Sequence, residues 1–224
     1  MSSLWWYVAR SAGIVSWILL ACSVLWGLAL STRALGARPR ANWLLDLHRF
    51  LGGLAVVFVG VHLGGLMLDS WVEIGPLQVL VPFASGWNPP AVAWGVVGLY
   101  LLTAIEVTSL LRKRIPKRWW KGVHFTSYLL YVVATVHLLT AGTDSRNPLM
   151  LWAVVAATTA IVGLTAYRVL GALSAPPTPA QTPTPPSYPP PSYPPPAGTW
   201  GQVPPRPPVA GPPERVDPRE RLRR

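Results

Sequence analysis

Four histidines, His48, His62, His124 and His137, are all the chain contains, and each falls inside a stretch apolar enough to cross a bilayer. Ionisable side chains at membrane depth are costly and need a partner. Neutral imidazole is a good axial ligand for haem iron, so two helices offering two imidazoles each could hold two bis-histidine haems in a stack. The spacings are 14 residues within 43–68 and 13 within 120–141. At 1.5 Å rise per residue the two levels would stand roughly 20 Å apart, most of a hydrocarbon core of roughly 30 Å. The chemistry this arrangement points to is transfer of electrons from one face of a bilayer to the other.

The elements that must position these imidazoles are helices. Hydrophobic residues make up 51% of the 224 residues and charged residues only 12%, a membrane composition. Five apolar segments stand out, at about 4–30, 43–68, 91–111, 120–141 and 149–173. The first lacks a basic n-region and exceeds the usual h-region, so it reads as a membrane helix, although Ala34 to Ala37 could mimic a cleavage site. Cys22 is the one cysteine, which excludes a disulfide framework and a thiolate cluster.

The net charge of +11 does not point to nucleic acid, because the charges sit in connections. Arg33, Arg38 and Arg40 fill the first, and Arg112, Lys113, Arg114, Lys117, Arg118 and Lys121 crowd the third; the second has Asp69 and Glu73 without a base, and in the fourth Asp144 is balanced by Arg146. The positive-inside rule then predicts the N-terminus and the 69–90 loop outside, and the basic loops and C-terminal tail in the cytoplasm. Trp5, Trp6, Trp71 and Trp87 fit as outer interface anchors, and Trp43, Trp119 and Trp120 as inner ones.

Both ligand helices run from inside to outside, so His48 is level with His124 and His62 with His137. On an ideal helix 14 residues return to nearly the same face, whereas 13 leave two imidazoles about 140° apart. Either His124 lies in an irregular first turn, or the haems approach this helix from different sides. Gly52, Gly53, Gly60, Gly64 and Gly65 leave flat patches on the second helix, suited to a macrocycle or to close helix packing. Arg10 could snorkel to headgroups or meet an outer haem propionate; Arg49 could meet an inner propionate or pair with Asp46. Glu106 reads as a structural ion-pair partner of Arg112 and Lys113, with a proton relay as the other reading. The run 77–83 is too short to span, and is expected along the outer interface or capping the outer site. The fifth helix offers no ligand.

Most of the 26 prolines fall in 174–224, with the repeat PPSYPPPSYPPP, so this segment is expected to be extended or disordered. It could recruit a proline-reading partner or remain a solvated basic tail.

The motifs WYVARSAG, HRFLGGLAVVFVGVH, TSLLRKRIPKRWWKGVHFTSY and HLLTAGTD together resemble the ferric reductase-like transmembrane family, which includes the membrane halves of ferric reductases and NADPH oxidases. The resemblance covers roughly residues 4–170. It implies that His48, His62, His124 and His137 ligate two b-type haems. Many members of that family continue into flavin and nicotinamide domains, but no Gly-rich dinucleotide fingerprint occurs here, so the donor is expected to be a separate cytoplasmic flavoprotein or a quinol. The acceptor would be external, or an exported reductase such as the methionine sulfoxide system of the same superfamily.

The expectation is thus an all-α, multi-pass cell-membrane protein. It has a five-helix haem domain at 1–173 and a proline-rich tail at 174–224, and it is an oxidoreductase component that binds lipid and no nucleic acid. The alternative is a non-redox scaffold whose histidines serve packing or a proton path and whose tail recruits partners.

Overall fold

The computed structural model describes residues 2–32, 42–70, 72 and 74–174, with side chains from residue 4 onward. Expectations placed on Ala34 to Ala37, on Arg33, Arg38, Arg40, Trp71 and Glu73, and on the proline-rich segment after Ser174 lie outside the described residues. Within them the protein is all-α, with no strand. The helices are α1 (Ser2–Thr32), α2 (Asn42–Leu68), α3 (Pro76–Leu80), α4 (Pro89–Leu110), α5 (Lys117–Phe125), α6 (Ser127–Ala141) and α7 (Pro148–Leu173).

Five stretches are long and apolar enough to span a bilayer: Leu4–Thr32, Asn42–Leu68, Pro89–Leu110, Lys117–Ala141 and Pro148–Leu173. The shortest has 22 residues, enough for a hydrocarbon core that takes about 20. Their outward faces carry Val57, Val107, Leu129, Trp152 and Val162, exposed here and suited to lipid.

Local chemistry sets the helix starts. Two prolines open α4 behind Asn88, whose left-handed backbone (φ 37°) turns the chain into the helix; Asn tolerates that region better than most residues. Pro148 opens α7, and the Asn147 side chain accepts the Leu149 N–H at 2.9 Å. Trp17, Ala21, Val24 and Leu28 of α1 bury against Tyr131 of α6 and Val154 and Ile161 of α7. Two hydrogen bonds cross this seam, from Trp17 Nε1 to Thr135 Oγ1 (3.0 Å) and between Tyr131 OH and Thr158 Oγ1 (2.9 Å). Such bonds stabilise helix contacts in lipid, where apolar burial offers little.

The α1–α2 hairpin is the tightest. Gly65 lets the backbones meet, since a Cβ built there would stand 2.9 Å from the Ala9 nitrogen. Close packing, one of the two roles expected for the α2 glycines, is what Gly65 performs. A Cβ on Gly53, Gly60 or Gly64 would meet nothing within 4 Å.

Candidate functional site

The 14-residue spacing on α2 presents His48 and His62 to the same side, where α5 and α6 bring His124 and His137. Ring centres lie 6.0 Å apart for His48 and His124 and 6.4 Å for His62 and His137, nearly perpendicular in both pairs. Two metal–imidazole bonds of about 2 Å on opposite sides of one ion, plus the ring radii, put ring centres roughly 6 Å apart.

The awkward 13-residue spacing is accommodated by a break. The fourth membrane segment is not one helix: α5 ends at Phe125 and α6 begins at Ser127. At Thr126 the N–H donates to Val123 O (3.0 Å) and the hydroxyl donates to the same oxygen (2.6 Å), a three-residue turn in place of a four-residue one. One turn of this tighter kind adds roughly 60° of rotation and narrows the offset of about 140° to roughly 80°. The irregularity is therefore not in a first turn at His124, which lies in the last turn of α5, but just after it.

Three imidazoles are fixed by backbone. His62 Nδ1 donates to Ala9 O (2.7 Å), His137 Nδ1 to Ala91 O (2.8 Å), and His48 Nδ1 to Ser23 O (3.1 Å), with Ser23 Oγ also at 3.3 Å. A carbonyl only accepts, so each Nδ1 carries the proton and each Nε2 keeps its lone pair free for a metal.

A glycine stands four residues after each acceptor: Gly13 after Ala9, Gly27 after Ser23, Gly95 after Ala91. In a helix the side chain at i+4 lies over the carbonyl at i, and here a Cβ would collide with the imidazole. It would stand 2.9 Å from His62 Nδ1 at Gly13, 3.2 Å from His48 Cε1 at Gly27 and 2.7 Å from His137 Cε1 at Gly95. Sequence reasoning singled out glycines on α2 and missed these three. A signal existed, because Ala9 to Ser23 and Gly13 to Gly27 repeat the 14-residue step of His48 to His62 in the antiparallel neighbour.

His124 is different. Its Nδ1 is buried with no hydrogen-bond partner, and its ring stacks on Trp120 at 5.1 Å and 20°. Arg112 lies over that indole, 4.6 Å from a ring centre. Trp120, expected as an interface anchor, therefore packs against a candidate ligand.

Around His62 and His137 the helices leave a largely apolar cavity, lined among others by Arg10, Gly13, Gly95 and Asp144. The segment expected along the interface or over the site supplies part of its cover: Gln78 and Val79 of α3 line the cavity, and Val72, Ile74 and Val79 bury against Trp6, Leu63, Leu66 and Leu99. Arg10 lines the cavity too, with its guanidinium paired to both carboxylate oxygens of Asp144. Arg146 offsets Asp144 in the charge of this connection, whereas the ion-pair partner of Asp144 is Arg10. Arg49 pairs with Asp46 at 3.0 Å, both well exposed, and is not among the residues lining the cavity. The ion pair expected for Glu106 with Arg112 or Lys113 does not form, because Arg112 is turned onto Trp120. Glu106 instead faces α2, its Oε1 3.0 Å from where a Gly52 Cβ would stand.

Among the described residues no group of three or more His, Cys, Asp or Glu could cage a bare metal ion. A haem needs only two ligands from protein, and the pairs fit that demand: ring spacing of about 6 Å in both, with Nε2 lone pairs left free and glycines making room at His48, His62 and His137.

Fold and site together define a helical membrane protein with paired imidazoles at two levels. Residues 12–135 match the family described as "Ferric reductase like transmembrane component", and the chain belongs to that family. The match includes His48, His62 and His124 and stops short of His137. Transmembrane domains of this family bind haem in general, and membership supports a membrane redox component. The chain is also 28% identical over 124 residues to an uncharacterized protein of Archaeoglobus fulgidus, spanning 50% of this chain and 64% of that protein. No solved structure matches it significantly.

Proposed function

We propose that the chain is the membrane subunit of a ferric reductase-like or exported-reductase system, carrying electrons across the cell membrane through two b-type haems. His48 and His124 hold one, His62 and His137 the other. Bound haem supplies reversible one-electron transfer at each level. The residues do the rest. Three backbone carbonyls hold the imidazoles in the Nδ1-protonated form with Nε2 directed inward. The cavity wall keeps the His62/His137 level largely apolar, and Arg10 is placed at its rim to meet a propionate while it keeps Asp144 neutralised. Arg49 serves the His48/His124 level in the same way. The basic connection 112–121 marks the cytoplasmic face, where a separate flavoprotein or quinol delivers electrons; an external acceptor or reductase collects them opposite. The proline-rich segment 174–224 forms a cytoplasmic tail.

The observation that carries this reading is the near-identical ring separation in two independent histidine pairs, 6.0 and 6.4 Å. The experiment is a reduced-minus-oxidised spectrum of the purified full chain with a haem-to-protein ratio. Two haems per chain with low-spin b-type bands are expected. Protein that inserts in the membrane without haem absorbance would turn the reading toward a scaffold.

A further inference from the structure

The exception among the four imidazoles has a structural cause. On α4 the acceptor and glycine that serve His137 are Ala91 and Gly95, and α4 runs antiparallel to the segment carrying His124. A 14-residue step along α4, the step that α1 takes between its two acceptors, leads to Ile105 and Ser109. At this register glycine is replaced by serine, whose side chain stands where Gly95 leaves room for His137; the Thr108 hydroxyl donates to Ala104 O at 2.7 Å, with Ile105 O further off at 3.1 Å. The helix therefore does not repeat its acceptor where His124 would need one, and His124 is left with the face of Trp120.

That difference has an electronic consequence. A hydrogen bond from Nδ1–H to a carbonyl draws the proton away from the ring and makes Nε2 a stronger donor, which favours ferric iron and lowers the midpoint potential. The His62/His137 level has two such bonds, at 2.7 and 2.8 Å. The His48/His124 level has one, longer at 3.1 Å. Arg112, held on Trp120, adds a positive charge beside this level, which also favours the reduced form. Glu106 is the group that opposes this when ionised, as it faces Gly52 one turn beyond His48.

We propose that the two levels are unequal by construction: Trp120 is the positioning residue for His124, and the haem at His48/His124 has the more positive midpoint potential and is the first to be lost. This rests on the haem reading above and extends it to an order between the two centres. Trp120 acts through His124, by fixing the ring plane that a carbonyl fixes at the other three histidines. With no hydrogen bond to restrain it, His124 depends on that stacking for its orientation about the iron axis.

The test is an optical redox titration of the full-length protein in lipid nanodiscs, with electron paramagnetic resonance of the oxidised form and haem transfer to apomyoglobin. Two components are expected, and the one missing from His124→Ala should be the more positive and the faster to transfer. Glu106→Gln should leave that order unchanged. Trp120→Ala should move the low-spin resonance of that component alone and speed its haem transfer several-fold, while Trp120→Phe, which keeps an aromatic face, should restore both. If Trp120→Ala fails to insert, Trp120→Leu, which keeps bulk but removes the aromatic face, takes its place under the same criteria. The proposal is overturned if the component lost in His124→Ala is the more negative one, or if Trp120→Ala inserts and leaves both resonances and both transfer rates unchanged. Wild-type protein without two haems would instead overturn the functional reading itself, so the two failures are distinguishable.

Discussion

Gly95 lies so close beneath His137 that a Cβ built on it would stand 2.7 Å from the ring Cε1. The imidazole is held there by the Ala91 carbonyl on the same helix, so it cannot retreat and keep its hydrogen bond. Gly95→Ala should therefore push the ring off its acceptor, at a cost of about 1–3 kcal/mol for overpacking plus about 1 kcal/mol for the bond. Expected is loss or high-spin conversion of the His62/His137 haem in the absorption spectrum. Gly163→Ala, on α7 away from the histidines and with nothing within 4 Å, is the control and should leave the spectrum intact.

The ligand pairing predicts which single changes share a phenotype. His48→Ala and His124→Ala should each remove or make five-coordinate one and the same haem, and His62→Ala and His137→Ala the other. A double change within a pair should cost little beyond either single change, because members of one coordination unit are not additive. A change from each pair should empty both levels. Loss of one haem by both His48→Ala and His62→Ala, with His124→Ala silent, would contradict the two-level arrangement. Membrane insertion must be followed in parallel, since a bound cofactor also stabilises the fold.

Arg10 and Asp144 join α1 to the turn after α6, with side chains 36% and 19% exposed. Removing either partner leaves the other charge at a partly enclosed site, so Arg10→Ala and Asp144→Ala should each destabilise the bundle by roughly 1–3 kcal/mol, between the values for exposed and buried pairs. The double variant should lose less than the sum of the two. Thermal unfolding in detergent gives the three values, and strict additivity would mean the pair contributes nothing as a pair.

Topology is checked with reporter fusions. The basic-loop asymmetry predicts a cytoplasmic reading after Arg224 and within 33–40, and an external one within 70–88. A cytoplasmic signal from 70–88 would invert the assignment of donor and acceptor faces.

The spanning helices were legible because length and apolarity are local properties, and the level matching of the histidines followed from counting along two segments that run the same way. What lay across helices was harder. No local pattern announces that the Ala9 carbonyl meets His62, since that contact depends on how α1 is rotated against α2. The echo of the 14-residue step in Gly13 and Gly27 was nevertheless present. Glu106 was assigned by proximity along the chain to Arg112, whereas Arg112 found an aromatic face, a choice set by the path of the connection after α4. The break at Thr126 was not legible: an irregular first turn at His124 is the nearest expectation, and the irregularity falls after that residue; the Thr126 hydroxyl back-bond to Val123 is a common habit of threonine in helices.

The carbonyl grips on His48, His62 and His137 have a consequence for how this protein is interrogated. Each grip consists of a main-chain oxygen and the absence of a side chain four positions on. A conventional alanine scan leaves the oxygens of Ala9, Ser23 and Ala91 where they were, and it never trims a glycine. A scan that also passes over the glycines would report the grips as silent, although Ala9 and Ser23 are buried. They become visible only when mass is added, or when the peptide bond itself is altered, so loss-of-side-chain data on this bundle will underestimate how much of the site is written in backbone.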